Sequence, residues 1–110
     1  MDISKPGGYT LVWHDEFDGS ALDPARWQLL ESMRGSEDTG LADESNPAVM
    51  RVEDSQLKLS AIRDKNVDDG GPHYTTCYSI TTFDRMHFRY GFLEMRAKVP
   101  FKKGAWPSFW

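Results

Sequence analysis

The sequence predicts an all-β sandwich on three observations. β-prone runs are short and separated by turn signals about every ten residues, no long amphipathic helical period appears, and there is no repeat or low-complexity tract. At 110 residues, with 39% hydrophobic and 13% aromatic side chains, the chain has the composition of one globular domain rather than a disordered segment.

Tyr9 to Phe17 reads YTLVWHDEF, a β-prone run closed by acids and the Asp18-Gly19 turn signal, and is expected to be a strand. LDPARW follows. Asp23 suits a cap and Pro24 the first helical position, so a short helical turn through Trp27 is expected. Residues 31–47, ESMRGSEDTGLADESNP, are polar and broken by Gly and Pro, and read as a long surface loop. Val49–Val52 and Gln56–Ile62 read as two strands of a hairpin around an EDS turn, with Leu57, Leu59 and Ala61 alternating onto one face. After a second loop, DKNVDDGGPH, the run Thr75–Phe83 is again β-prone.

Phe88–Val99 alternates most clearly. Leu93, Met95, Ala97 and Val99 are apolar and predict a core face, whereas Phe88, Tyr90, Phe92, Glu94, Arg96 and Lys98 mix rings with charge. That second face suits either a sugar surface, where pyranose C–H patches stack on rings and hydroxyls bond to charged groups, or a solvated cross-strand charge ladder. The chain closes on GAWPSFW. As a strand, WPSFW sets Trp106, Ser108 and Trp110 on one face and Phe109 on the other; an indole pair serves packing more often than binding.

Composition also excludes function classes. The net charge of −4 argues against nucleic acid or an anionic membrane as the main partner, although Arg85 to Lys103 is locally basic. Cys77, the one cysteine, leaves no internal disulfide or thiolate pair, and His14, His73 and His87 lack ligand-like spacing, so a metal enzyme is not indicated. No apolar run approaches a membrane span, and MDISKPGG has no secretory-signal pattern.

RYGFLEMRAKVPFKKGAWPSFW, together with LVWHDEFDG, LDPARW and the LKLSA strand, resembles glycoside hydrolase family 16, the laminarinase, lichenase and agarase group, collinearly from about Tyr9 to Trp110. The resemblance implies a concanavalin-like β-jelly-roll sandwich with a polysaccharide along its concave face. It implies that Trp110 stacks on a sugar on the non-reducing side of the cut, that Trp106 and Ser108 share its side, and that Glu94 and Arg96 on the neighbouring strand shape the cleft. It also implies an extracellular or periplasmic location and, through Glu16 of the DEF segment, a possible structural calcium, with no cofactor required for chemistry.

Family members cut with a Glu-x-Asp-x-Glu or Glu-x-Asp-x-x-Glu strand. Alternate positions project to one side, a bulge restoring this for the longer form, so the two Glu lie about 5 Å apart, as retention requires. Glu16-Phe17-Asp18 is the only Glu-x-Asp here, and the second Glu does not follow it. By resemblance, residues 1–110 are therefore the N-terminal part of one such domain, ending before the catalytic strand, inactive alone and prone to aggregate. Two departures leave the glycan open, with β-1,3-glucan as the default. Ser79 stands where many relatives have a sugar-binding arginine, and Arg34–Pro47 lacks the Asn-rich aromatic segment of laminarinases.

Two rival readings compete. A lectin-like binding module of the same fold needs the platform but no acids. A single-stranded RNA binder is suggested by the interleaved basic and aromatic residues of RMHFRYGFLEMRAKVPFKK and opposed by the acidic total.

Overall fold

The computed structural model describes residues 6–29, 41–42, 46–64, 73–76 and 79–110. Seven short strands carry the regular structure: β1 (Gln28–Leu29), β2 (Leu41–Ala42), β3 (Met50–Glu53), β4 (Gln56–Leu59), β5 (Ala61–Asp64), β6 (His73–Thr76) and β7 (Ile80–Thr81). They form three small sheets, β1-β7, β2-β6-β5 and β3-β4, every pair antiparallel except β2 with β6. The described residues contain no helix, so the all-β expectation holds.

The hairpin β3-β4 is the best-specified element. Its register sets Met50 opposite Leu59 and Val52 opposite Leu57, which gathers the apolar residues on one face. Asp54 and Ser55 both have φ of 54°, the left-handed pair that a two-residue hairpin turn requires. On the polar face Arg51 lies opposite Lys58, a like-charge pairing that alone is unfavourable. Glu53 resolves it: its Oε1 accepts from Arg51 Nε at 2.6 Å and from Lys58 Nζ at 2.8 Å. The two cations hold the Glu53 carboxyl down at about 2, with the Lys58 hydrogen bond the larger cause, and the carboxylate in turn raises Lys58.

Entry to the hairpin is fixed by Asn46. Its backbone carbonyl accepts from Val49 N (2.9 Å) and Met50 N (3.1 Å), and its side chain accepts from Ala48 N (3.0 Å), an Asx turn around Pro47. Exit is different from the sequence expectation. The run read as one strand, Gln56–Ile62, is interrupted at Ser60, whose N–H bonds to Val49 O at 2.7 Å before the chain leaves for β6 as β5. Val49 and Val52 are the buried apolar side chains among the described residues.

Four other expectations change. Tyr9–Phe17, Phe88–Val99 and Trp106–Trp110 are not strands, and Leu93, Met95, Ala97 and Val99 are exposed rather than a core face. The reason is physical: alternation makes a segment ready for a sheet, but a strand exists only through a ladder, and no described segment pairs with these. Within 31–47 the loop contains β2; residues 31–40 and 43–45 lie outside the described residues, as do 65–72 and Cys77 with Tyr78. Thr75 and Thr76 lie in β6, Ile80 and Thr81 in β7, while Phe83 sits in a turn.

The molecule is open. Its accessible surface is 9456 Å², against about 6,200 Å² for a compact monomer of this mass. The Cα radius of gyration is 16.1 Å, against about 13 Å for a closed domain of this length.

Candidate functional site

The turn that positions the first aromatic group follows from LDPARW. Asp23 Oδ1 accepts from Ala25 N at 2.9 Å, and Asp23 O accepts from Arg26 N (3.1 Å) and Trp27 N (2.9 Å), a capped single turn as the sequence predicts. This turn presents the Trp27 indole to residues 13–17. Its Nε1 donates to Asp15 Oδ2 at 2.7 Å while Asp15 Oδ1 accepts from Phe17 N at 2.8 Å, so one carboxylate fixes both an indole and a backbone held at φ 51°.

Around that carboxylate the rings close up. Trp13 meets Trp27 edge-on at 5.1 Å, Phe17 stacks on Trp27 at 5.9 Å, and Phe88 meets Trp13 edge-on at 6.3 Å. Tyr9 touches Phe92 at 6.1 Å, which brings the stretch 9–17 beside 88–92. Two guanidiniums lock the arrangement: Arg26 donates to the His14 carbonyl, and Arg85 Nε donates to the Pro24 carbonyl at 2.8 Å. Sequence reasoning gave Trp13, Asp15 and Trp27 no joint role. Their contacts cross a turn rather than follow a strand period, so no spacing signal announces them.

The five sequence-predicted site residues lie elsewhere. Trp106 and Trp110 are 91% and 92% exposed, and Ser108, Glu94 and Arg96 are exposed as well. No hydrogen bond, ion pair or ring contact joins any of them to a described residue. The segment that carries them, 88–110, contains no strand; it bends at residues 89–91 and makes one turn where Ala105 N bonds to Lys102 O at 3.0 Å and Gly104 takes φ 89°. Arg89 sets its guanidinium 5.4 Å from the centre of the Tyr90 ring. Chemically this is a display of indole and phenyl faces among free hydrogen-bonding groups, the combination that suits a pyranose surface.

Glu16, which the resemblance links to calcium, faces His14 Nδ1 at 3.5 Å. Among the described residues no three His, Cys, Asp or Glu side chains gather as a metal site.

No protein-family profile matches the chain, and no solved structure matches it. Curated relatives do. Over 94% of its length the chain is 29% identical to glucan endo-1,3-beta-glucosidase A1 of Niallia circulans, of which it spans 17%. It is 33% identical to a glucan endo-1,3-beta-glucosidase of Cryptopygus antarcticus over 94% of its length. It is 30% identical to a beta-glucanase of Rhodothermus marinus over 96%. These alignments cover 38% and 37% of the two relatives, so the chain spans well under half of each protein it matches. The chain is thus homologous, along almost all of its length, to part of the endo-acting β-glucanases, in keeping with its resemblance to glycoside hydrolase family 16.

Proposed function

We propose that the chain is part of the catalytic domain of a retaining endo-glycosidase that hydrolyses β-linked polysaccharide outside the cytoplasm, with β-1,3-glucan as the default substrate. Homology over 94–96% of the chain to a part, 17–38%, of three β-glucanases carries this reading. The domain is a β-jelly-roll whose cleft the Trp106–Trp110 segment lines, and the paired glutamates are supplied by sequence outside these 110 residues, since no Glu-x-Asp-x-Glu occurs within them. The role of this part is to hold the glycan. Trp110 and Trp106 stack on sugar faces, while Glu94, Arg96 and Ser108 bond to hydroxyls.

The test is affinity electrophoresis of the 110-residue chain in gels containing laminarin, beside an assay for released reducing sugar. The expected result is retardation without hydrolysis, with Trp106→Ala and Trp110→Ala each weakening binding about five- to ten-fold, the scale of one lost stacking contact. Unchanged migration of the parent chain overturns the proposal, and hydrolysis by it overturns the assignment of the catalytic acids to other sequence.

A further inference from the structure

We propose that residues 92–99 are a docking edge for a second copy of this chain, which adds to it as an antiparallel strand in one register, centred on Met95. The proposal goes beyond the glycosidase reading and does not depend on it. Residues 92–101 contain no strand and share no backbone hydrogen bond with any described residue, so their N–H and C=O groups are open to an added strand. Such a ladder has built-in ends. The chain bends at residues 89–91, where Gly91 takes φ 149°, and Pro100 has no N–H to donate.

Register decides which partner fits. Directly opposite residues of an antiparallel pair share a face, so apolar meets apolar only when the two-fold axis passes through a residue rather than between two. Centred on Glu94 the pair sets Glu94 against itself, centred on Arg96 it sets Arg96 against itself, and centred on Ala97 it sets Arg96 against Lys98. Each of these opposes like charges. Centred on Met95, the pair sets Glu94 opposite Arg96 on both sides of the axis, Leu93 opposite Ala97, Met95 opposite Met95, and Phe92 opposite Lys98, a ring facing a cation. The segment is therefore complementary to itself, as an isologous interface requires. A parallel pair in register is excluded by the same rule, because it lays Glu94 on Glu94 and Arg96 on Arg96.

Two observations support the second copy. In the β3-β4 hairpin Arg51 and Lys58 are opposed and Glu53 holds both, whereas Glu94, Arg96 and Lys98 are exposed and make no ion pair with any described residue. Their charges are left to be answered from outside. The apolar residues between them, Leu93, Met95, Ala97 and Val99, are exposed too, and pairing gathers them into one row of two strands. Surface is available as well: the accessible 9456 Å² exceeds the compact value of about 6,200 Å² by more than the roughly 800 Å² that each partner of a specific pair covers.

The experiment is sedimentation velocity of the 110-residue chain from about 2 to about 200 µM, with no glycan present. A monomer in equilibrium with a dimer is expected, half converted near about 20 µM, at the weak side of specific interfaces. Glu94→Arg and Arg96→Glu each turn two attractive pairs into two repulsive ones, and each is expected to weaken the dimer at least about ten-fold. Both positions are exposed, so the circular dichroism spectrum is expected to stay unchanged. Mixed in equal amounts, the two single variants are expected to pair with each other as tightly as the parent pairs with itself, because every Arg again meets a Glu. A monomer at every concentration overturns the inference and leaves the segment to a strand from sequence outside these 110 residues. Association that ignores the charge exchanges, or that grows past the dimer, overturns it in favour of unspecific apolar contact. Retardation in laminarin gels is a separate measurement, so the glycosidase reading and this one fail independently.

Discussion

The chain's four tryptophans divide into two pairs that are treated in opposite ways. Trp13 and Trp27 meet at 5.1 Å, half-buried, and the Trp27 indole N–H is satisfied by Asp15. Trp106 and Trp110 stand more than nine-tenths exposed and make no hydrogen bond or ring contact with a described residue. The lesson is that an aromatic-rich segment becomes core or display according to whether a polar anchor and a facing surface are supplied, and not according to its own composition.

The sharpest way to break that comparison is to remove one ring from each pair. Trp27→Ala is expected to lower the unfolding free energy by about 2–3 kcal/mol, below the figure for a fully enclosed ring because Trp27 is half-buried, whereas Trp106→Ala stays within about 0.5 kcal/mol. Urea titration followed by circular dichroism measures both, and equal losses would erase the distinction. Next in size is Asp15→Asn, which leaves one acceptor oxygen for two donors and removes the charge. A loss of about 1.5 kcal/mol is expected by the same titration, and no loss would show that the carboxylate does not organise the rings.

Much of the first region was legible from sequence. The Asp23 cap, the turn through Trp27 and the EDS hairpin all depend on residues within a few positions of one another, so local chemistry determines them. Ser60 was not legible, because breaking Gln56–Ile62 there depends on β5 finding β6 rather than continuing along β3. Tyr9–Phe17, Phe88–Val99 and WPSFW mislead for a related reason. Their alternation is real, but pairing belongs to the partner strand as much as to the run that carries the pattern. Of the candidate site, the five residues are exposed, and the strand parity invoked to align Trp106, Ser108 and Trp110 is not observed.

The smallest expected effect sharpens the contrast between paired and free cations. Glu53 titrates at about 2 when folded against an ordinary value of 4.5. A depressed acid stabilises fully above its unfolded value, so the hairpin's contribution is complete above about pH 4.5 and is lost as the pH falls from there toward 2. Glu53→Gln is expected to flatten this part of the pH profile of β3-β4 amide exchange, and an unaltered slope would show the three-residue network to be inert. The same measurement on Glu94→Gln should show no change, because Glu94 has no partner among the described residues.

The contact between Arg85 and Pro24 joins positions 61 apart in sequence, close to where β1 and β7 pair. Once such a clasp is shut, lengthening the chain enclosed by it is cheap: doubling a flexible loop adds only about 0.6 kcal/mol of closure entropy. Changes of length in the loops between Leu29 and Ile80 therefore cost little closure entropy and leave both the clasp and the ring cluster in place.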